Sequence, residues 1–149
     1  MLASTVVACA PTRPPSSLLA ERSAAGLQQM TLDVRSGAKT HRFVVEVARS
    51  AQEQETGLMN RPSLGPDRGM IFPYDPPQPV SFWMKDTLIP LDMIFIRPDG
   101  SIAKIAANTV PLSLEPVPVA EPIAAVLEIA GGRSSELGIS AGDRVAWPH

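Results

Sequence analysis

The stretch Phe82-Trp83-Met84-Lys85-Asp86-Thr87-Leu88-Ile89-Pro90-Leu91-Asp92 places charged and hydroxyl side chains between two apolar segments. Residues 80–84 are predicted to form a strand and residues 91–97 a longer apolar strand, because aromatic and β-branched residues favour sheets. If the first strand continued, Trp83, Lys85 and Thr87 would share one face, since successive strand side chains alternate. Asp86 would then lie on the opposite face.

Further short strands with turns between them are predicted on both sides of this stretch. The remaining strands are predicted at residues 30–34, 42–47, 69–72, 101–107, 123–130 and 144–147. Residues 74–79, with three prolines, are predicted to be a loop, and residues 110–122 an irregular crossing.

Two short helical segments complete the predicted fold. Ser50 and Glu53 have the spacing of a capping box, which predicts a helix over residues 51–59. One helical turn is predicted at residues 134–137. The fold class is therefore mainly β with one or two short helices, as a small β-sandwich or partly closed barrel.

Length and composition limit the possible functions. A chain of 149 residues suits one domain, placed at residues 29–149, with residues 1–28 as a signal or lipobox remnant and flexible linker. The formal net charge of -2 removes the electrostatic attraction that non-specific nucleic-acid binding needs. No zinc spacing, phosphate-binding loop or nucleophile elbow is present, so no metal or cofactor is expected. We expect a monomer.

The single cysteine, Cys9, lies near the start of the chain. The tetrapeptide Val6-Val7-Ala8-Cys9 is similar to the bacterial lipobox, in which the cysteine carries lipid, and a Pro- and Ser-rich segment follows it. The alternative is a frayed N-terminus with an incidental thiol, because no Lys or Arg precedes Cys9. The lipobox interpretation predicts an extracytoplasmic, lipid-anchored protein that contacts the membrane only through this anchor.

An ordered set of motifs resembles the bacterial and archaeal family called domain of unknown function 192. The motifs are Gly57-Leu58-Met59-Asn60-Arg61-Pro62, Gly69-Met70-Ile71-Phe72, the stretch 82–92, Asp99-Gly100, Val126-Leu127-Glu128 and Gly142-Asp143-Arg144-Val145. The resemblance covers about residues 30–147 and implies a mostly β fold, a frequent extracytoplasmic setting and no established activity. The family usually has Asn where this sequence has Asp86, so a role that needs an amide donor at this position does not carry over from the family to this chain.

Seven residues are candidates for a ligand-binding site, namely Arg61, Trp83, Lys85, Asp86, Thr87, Asp92 and Glu128. A cation, a hydroxyl and an aromatic face suit a carboxylate or sugar-like ligand. The alternative is structural, with Lys85 in an ion pair and Thr87 fixing a turn. Arg61 could bind an anion or cap helix carbonyls, and the cap is favoured. Asp92, inside an apolar strand, is expected to pair with Lys85 or Arg61.

Three functions remain open from these residues. The first is a non-enzymatic domain that binds a small polar or anionic ligand, or a cell-envelope component. The second is a hydrolase acting on an envelope polymer, with Asp92 and Glu128 as an acid/base pair. The third is a purely structural or assembly module. The four methionines of the motif set, at positions 59, 70, 84 and 93, are interpreted as core packing and not as a copper site.

Overall fold

The fold consists of seven strands and two short helices in a computed structural model, which describes residues 22–148. The elements are β1 (Gln29–Ser36), β2 (Lys39–Val47), α1 (Ala51–Thr56), β3 (Arg68–Phe82), β4 (Leu91–Ile96), β5 (Ile102–Ala106), β6 (Val117–Ala130), α2 (Arg133–Leu137) and β7 (Arg144–Ala146). Cys9 and the predicted lipobox lie outside the described residues. None of the described helices is long and apolar enough to cross a membrane.

All seven strands belong to one curled sheet with the order β5-β4-β6-β3-β2-β1-β7. Neighbours pair antiparallel except β2 and β3, which are parallel. The two edge strands approach each other, because Ser101 next to β5 bridges Arg144 in β7 and the Val145 amide donates to the Gly100 carbonyl at 2.9 Å. The mainly β fold is confirmed, as a partly closed barrel.

The sheet has a hydrophobic core on each face. The inner core draws buried residues from every strand, including Leu32, Phe43, Ile94, Leu127 and Val145. This contribution from every strand is expected when a sheet curls round its own side chains. The outer core is smaller and covers only part of the other face; it contains Leu58, Met70, Phe72, Met84, Leu91, Met93, Phe95 and Val126. The four methionines of the motif set all lie in or beside this outer core.

The largest error in the sequence prediction concerns β3. Residues 69–72 and 80–84 were expected to be separate strands, but β3 runs continuously from Arg68 to Phe82. Its pairing with β6 shifts register between Pro73 and Gln78 and again between Gln78 and Val80. The prolines lack N–H donors and fall in this irregular part, so regular pairing is interrupted as predicted although the chain stays extended.

The helices and the later strands also differ from the predicted bounds. The capping box is confirmed, with the Glu53 amide donating to the Ser50 hydroxyl at 3.1 Å, but α1 ends at Thr56 and not at residue 59. Gly57 ends the helix with φ 46° and ψ -130°, a backbone conformation that is open essentially to glycine. The predicted irregular crossing ends early, because β6 already begins at Val117.

Gly69 explains how β3 fits closely against both neighbouring strands. A Cβ atom at this position would collide with the Glu128 carbonyl of β6 and would lie 3.2 Å from the Ile129 side chain. It would also lie 3.4 Å from the Val45 side chain of β2. Glycine is therefore required where the backbone of β3 passes the candidate site residue Glu128.

Candidate functional site

A small pocket opens on the outer face of the sheet, between α1 and the segment that follows β3. Its volume is about 40 Å³, and its walls come from the C-terminal end of α1, from β3 and β6, and from the segment 83–87. The lining residues are Gln54, Glu55, Thr56, Gly57, Leu58, Met59, Phe72, Phe82, Trp83, Lys85, Thr87 and Glu128. Four of the seven candidate site residues, Trp83, Lys85, Thr87 and Glu128, therefore meet here.

The aromatic wall of the pocket is held by ring contacts. Phe82 makes an edge-to-face contact with Phe72, with ring centroids 5.1 Å apart, and a second with Phe95 at 6.0 Å. Such perpendicular pairs favour one ring orientation and add to the stability gained from burial alone. A Cβ atom on Gly57 would lie 3.3 Å from the Phe72 ring, so α1 ends in direct contact with this wall.

Glu128 is the buried polar group of the pocket. Its side chain is only 4% exposed, and β6 aligns it with Met70 on one side and Met93 on the other. Among residues 22–148 the carboxyl group has no hydrogen-bond or ion-pair partner. Desolvation by burial raises the pKa of Glu128 to about 8, so the neutral acid predominates at neutral pH. A neutral carboxyl group both donates and accepts hydrogen bonds.

Tyr74 is an ionisable neighbour of Glu128 on β3. Its pKa is raised to about 12, mainly by burial and also by the negative charge that Glu128 can carry. The phenol is therefore neutral throughout the range in which Glu128 titrates. The other charged groups around the pocket are Lys85 and Glu55, and both of these residues are exposed.

Lys85 and Trp83 form the rim of the pocket. The Lys85 ammonium lies 5.2 Å from the centre of the Trp83 ring, which is a cation–π arrangement. The strand ends at Phe82, so the predicted alternation does not bring these residues together. A turn does so instead, in which the Thr87 amide donates to the Met84 carbonyl at 3.1 Å and the Thr87 hydroxyl donates to the Lys85 carbonyl at 3.1 Å.

Asp86 occupies the exposed corner of this turn. Its φ is 52°, in the left-handed region where Asn and Asp are the usual non-glycine residues, and its carbonyl accepts from the Asn60 amide at 2.8 Å. The backbone conformation explains why Asn, usual at this position in the family that the sequence resembles, and Asp are both tolerated. Asp86 is not among the residues that line the pocket.

Asp92 has a structural environment on the inner face of the sheet. One carboxylate oxygen accepts from the Asn108 amide at 2.8 Å and the Gly132 amide at 2.9 Å, and the other accepts from the Ser134 amide at 2.8 Å and hydroxyl at 2.5 Å. Gly132 is the N-cap of α2 and supplies no side-chain cap. Asp92 therefore caps α2 from a distance. The expected ion pair with Lys85 or Arg61 is not formed.

The acid/base pair of Asp92 and Glu128 is not formed either. Asp92 lies opposite Ile129 of β6, whereas Glu128 lies opposite Met93 of β4. Directly opposed residues of antiparallel strands share a face, so the two carboxyl groups lie on opposite faces of the sheet. They cannot act on one bond, which removes the geometric basis for the hydrolase.

Arg61 lies outside the pocket. Its guanidinium pairs with Glu46 at 3.0 Å, and both side chains are largely buried, with 30% and 10% exposure. The helix cap predicted for Arg61 is wrong, because α1 has already ended at Thr56. The pair lines a separate cavity of about 320 Å³ that also includes Arg68.

Several residues of the pocket were not predicted from the sequence. Thr56, Gly57 and Phe72 belong to segments that look like a helix end and a core strand, so nothing local marks them as pocket residues. Glu46, the partner of Arg61, did give a signal, since it is a charged residue inside the apolar run Phe43-Val44-Val45-Glu46-Val47.

The fold and the pocket define a class of protein, a partly closed β-barrel with a small pocket on its outer face. The profile of the family DUF192, described as an uncharacterised ACR, matches residues 5–147. The chain belongs to this family. The comparison with curated proteins gives no match.

Two solved structures are similar to this chain. One is a protein of unknown function from Novosphingobium aromaticivorans, with 43% identity and a TM-score of 0.84, covering 93% of this chain and all of that one. The other, from Sinorhizobium meliloti, is named as a candidate transcription regulator. It shows 39% identity and a TM-score of 0.79, and the match covers 81% of this chain and 95% of that one.

Proposed function

We propose that this protein is a non-enzymatic binding domain that holds a small polar or anionic group of a ligand in the outer pocket. The observation that carries the proposal is the buried carboxyl group of Glu128, which lines the pocket and has no partner within residues 22–148. Buried polar groups are nearly always hydrogen-bonded. The Glu128 oxygens are not fully enclosed, since the residue lines the pocket, so a ligand that enters the pocket can supply the hydrogen bond that no described residue makes.

The size of the pocket limits what enters it. A volume of about 40 Å³ holds only a few non-hydrogen atoms, such as a carboxylate or a hydroxymethyl group. In this arrangement the neutral Glu128 acid donates to an oxygen of the ligand, and the Lys85 ammonium at the rim supplies a positive charge. Trp83 offers an aromatic face to the part of the ligand that remains outside.

A thermal-shift screen with small carboxylates and polyols tests the proposal. A ligand such as acetate or glycolate at ten times its Kd should add about 1.4 kcal/mol of stability, equivalent to a few degrees in Tm. Lys85→Ala should remove most of the shift produced by the anionic ligands, because Lys85 is the one cationic residue among those of residues 22–148 that line the pocket.

Lys39→Ala is the matched control for this screen. Lys39 is also exposed but lies at the turn between β1 and β2, outside the lining of the pocket. It should leave the ligand shifts unchanged. If no carboxylate or polyol stabilises the wild type, the pocket serves the fold only, and if both lysine variants change the shifts of the anionic ligands alike, the ligands do not bind in the outer pocket. Either result would overturn the proposal.

We propose an extracytoplasmic, lipid-anchored location for this domain, on the strength of the sequence around Cys9 alone. Mass spectrometry of the full-length protein, isolated from its native membranes, should find a diacylglycerol group on an N-terminal Cys9. An unmodified chain that retains residues 1–8 would contradict the anchor without affecting the ligand proposal.

A further inference from the structure

The outer pocket opens beside an apolar surface. The exposed large hydrophobic side chains of residues 22–148 are Trp83, Leu88, Val110, Leu112 and Leu114, each between 47% and 69% exposed. All five lie on two segments, 83–90 and 107–116, that pack beside each other. The Met84 amide donates to the Ser113 carbonyl at 3.0 Å, and the Leu112 amide donates to the Thr87 carbonyl at 3.0 Å.

We call these five residues the apolar rim. Single exposed hydrophobic residues are normal, but a concentration of them on one surface indicates a binding function. The apolar rim adjoins the pocket, because Trp83 belongs to both. In addition, the backbone amide of Leu112 in the rim donates a hydrogen bond to the backbone carbonyl of Thr87 in the pocket wall.

Leu112 is the least expected member of the apolar rim. It has a φ of 64°, in the left-handed region that a bulky aliphatic residue rarely adopts, and it is 57% exposed. The chain therefore holds an unfavourable backbone conformation at a position that displays a leucine to solvent. Strained positions that bring no packing benefit concentrate at functional sites.

We infer that the ligand of the outer pocket is an amphiphile, with a small carboxylate or hydroxyl head in the pocket and an aliphatic chain on the apolar rim. This inference rests on the proposed function. Only a head group fits into the pocket, so the remainder of any larger ligand must lie outside its mouth. The apolar rim on one side of that mouth is aliphatic and aromatic, and it matches a hydrocarbon chain better than a sugar or peptide.

The lengths of a series of linear carboxylates provide the test. Binding of acetate, butanoate and hexanoate is measured by calorimetry at about pH 6.5, where Glu128 is mainly protonated. Each added methylene that leaves water strengthens binding by up to roughly fourfold, so hexanoate should bind at least about tenfold more tightly than acetate.

A variant of the apolar rim distinguishes binding of the ligand's aliphatic chain from binding of its head group. The double substitution Leu112→Ser and Leu114→Ser changes only exposed side chains. It should reduce the advantage of hexanoate to less than about threefold and leave the Kd of acetate unchanged. Equal Kd values for acetate and hexanoate in the wild type would overturn the amphiphile inference while the proposed function stands. Failure of every carboxylate to bind would overturn both.

Phosphatidylcholine vesicles with and without added hexadecanoate then distinguish the two sources of an amphiphile, because phosphatidylcholine itself has neither a carboxylate nor a hydroxyl head. Co-sedimentation of the wild type, but not of the rim variant, with the vesicles that contain hexadecanoate would assign the head and chain to a lipid within a bilayer. A chain-length dependence without co-sedimentation would assign them to a free amphiphile. Self-association through the rim, seen as a dimer that the rim variant abolishes while carboxylates show no length dependence, would overturn the inference.

Discussion

Replacement of Glu128 by glutamine should make the protein about 4 kcal/mol more stable than the wild type at about pH 8.5, with little difference at about pH 5. The pKa of Glu128 is about 8 in the folded protein, against an ordinary glutamate pKa of 4.5. Between these values the unfolded chain releases a proton that the folded protein retains, so the free energy of unfolding falls as the pH rises. The substituted glutamine side chain cannot ionise, so the variant lacks this loss.

Urea unfolding of the two proteins across this pH range measures the effect. The difference in the free energy of unfolding between Glu128→Gln and the wild type should grow by roughly 1.4 kcal/mol per pH unit between pH 5 and 8 and then level off. Glu55→Gln is the matched control, because Glu55 lines the same pocket but is exposed. It should change stability by less than about 0.5 kcal/mol at either pH. A constant difference between wild type and Glu128→Gln would show that the carboxyl group is hydrated or paired.

The second large effect is expected at Asp92. Asp92→Asn should lower the free energy of unfolding by about 3 kcal/mol or more, since three backbone amides and the Ser134 hydroxyl converge on the carboxylate. The asparagine amide nitrogen would face N–H donors. The loop that holds Asn108 and the start of α2 would lose the group that joins them to β4.

Asp99→Asn is the control for this substitution. Asp99 also accepts from an amide and a hydroxyl, both of Ser101, at 2.8 and 2.7 Å, but these bonds are exposed to solvent. Its replacement should cost less than about 1 kcal/mol. Urea unfolding of the two variants and the wild type measures the loss of stability that each substitution causes. Equal losses in the free energy of unfolding for Asp92→Asn and Asp99→Asn would contradict the structural role assigned to buried Asp92.

The fold was largely predictable because its strands follow local patterns. The alternation in residues 30–34 and the β-branched run in residues 42–47 predicted two strands, which the structure contains as β1 and β2 and pairs antiparallel. The path of β3 was not predictable from the sequence. The prolines show that backbone hydrogen bonds are missing in this part of the chain, but they do not show whether the strand continues beyond the irregular pairing. The near closure of the barrel depends on contacts between β5 and β7, which are remote in sequence.

The candidate site was predictable only in part. Trp83, Lys85 and Thr87 were expected on one face if the strand continued, but the strand ends at Phe82 and a turn brings the three residues to the pocket instead. Glu128 and Asp92 look alike in sequence, as single acids in apolar strands, and differ only in register. Register places one acid beneath the pocket and the other among amides on the opposite face. No pattern along the chain reports that difference.

The most direct test of the outer pocket is an NMR titration of the Glu128 side-chain carbonyl carbon in ¹³C-labelled protein, with and without acetate. We expect a midpoint near pH 8 in the free protein. Saturating acetate should raise this midpoint by about one unit or more, because the bound carboxylate accepts a hydrogen bond from the protonated acid. A midpoint near the ordinary value for glutamate, or one that acetate does not move, would contradict the role of Glu128 as the ligand-binding group.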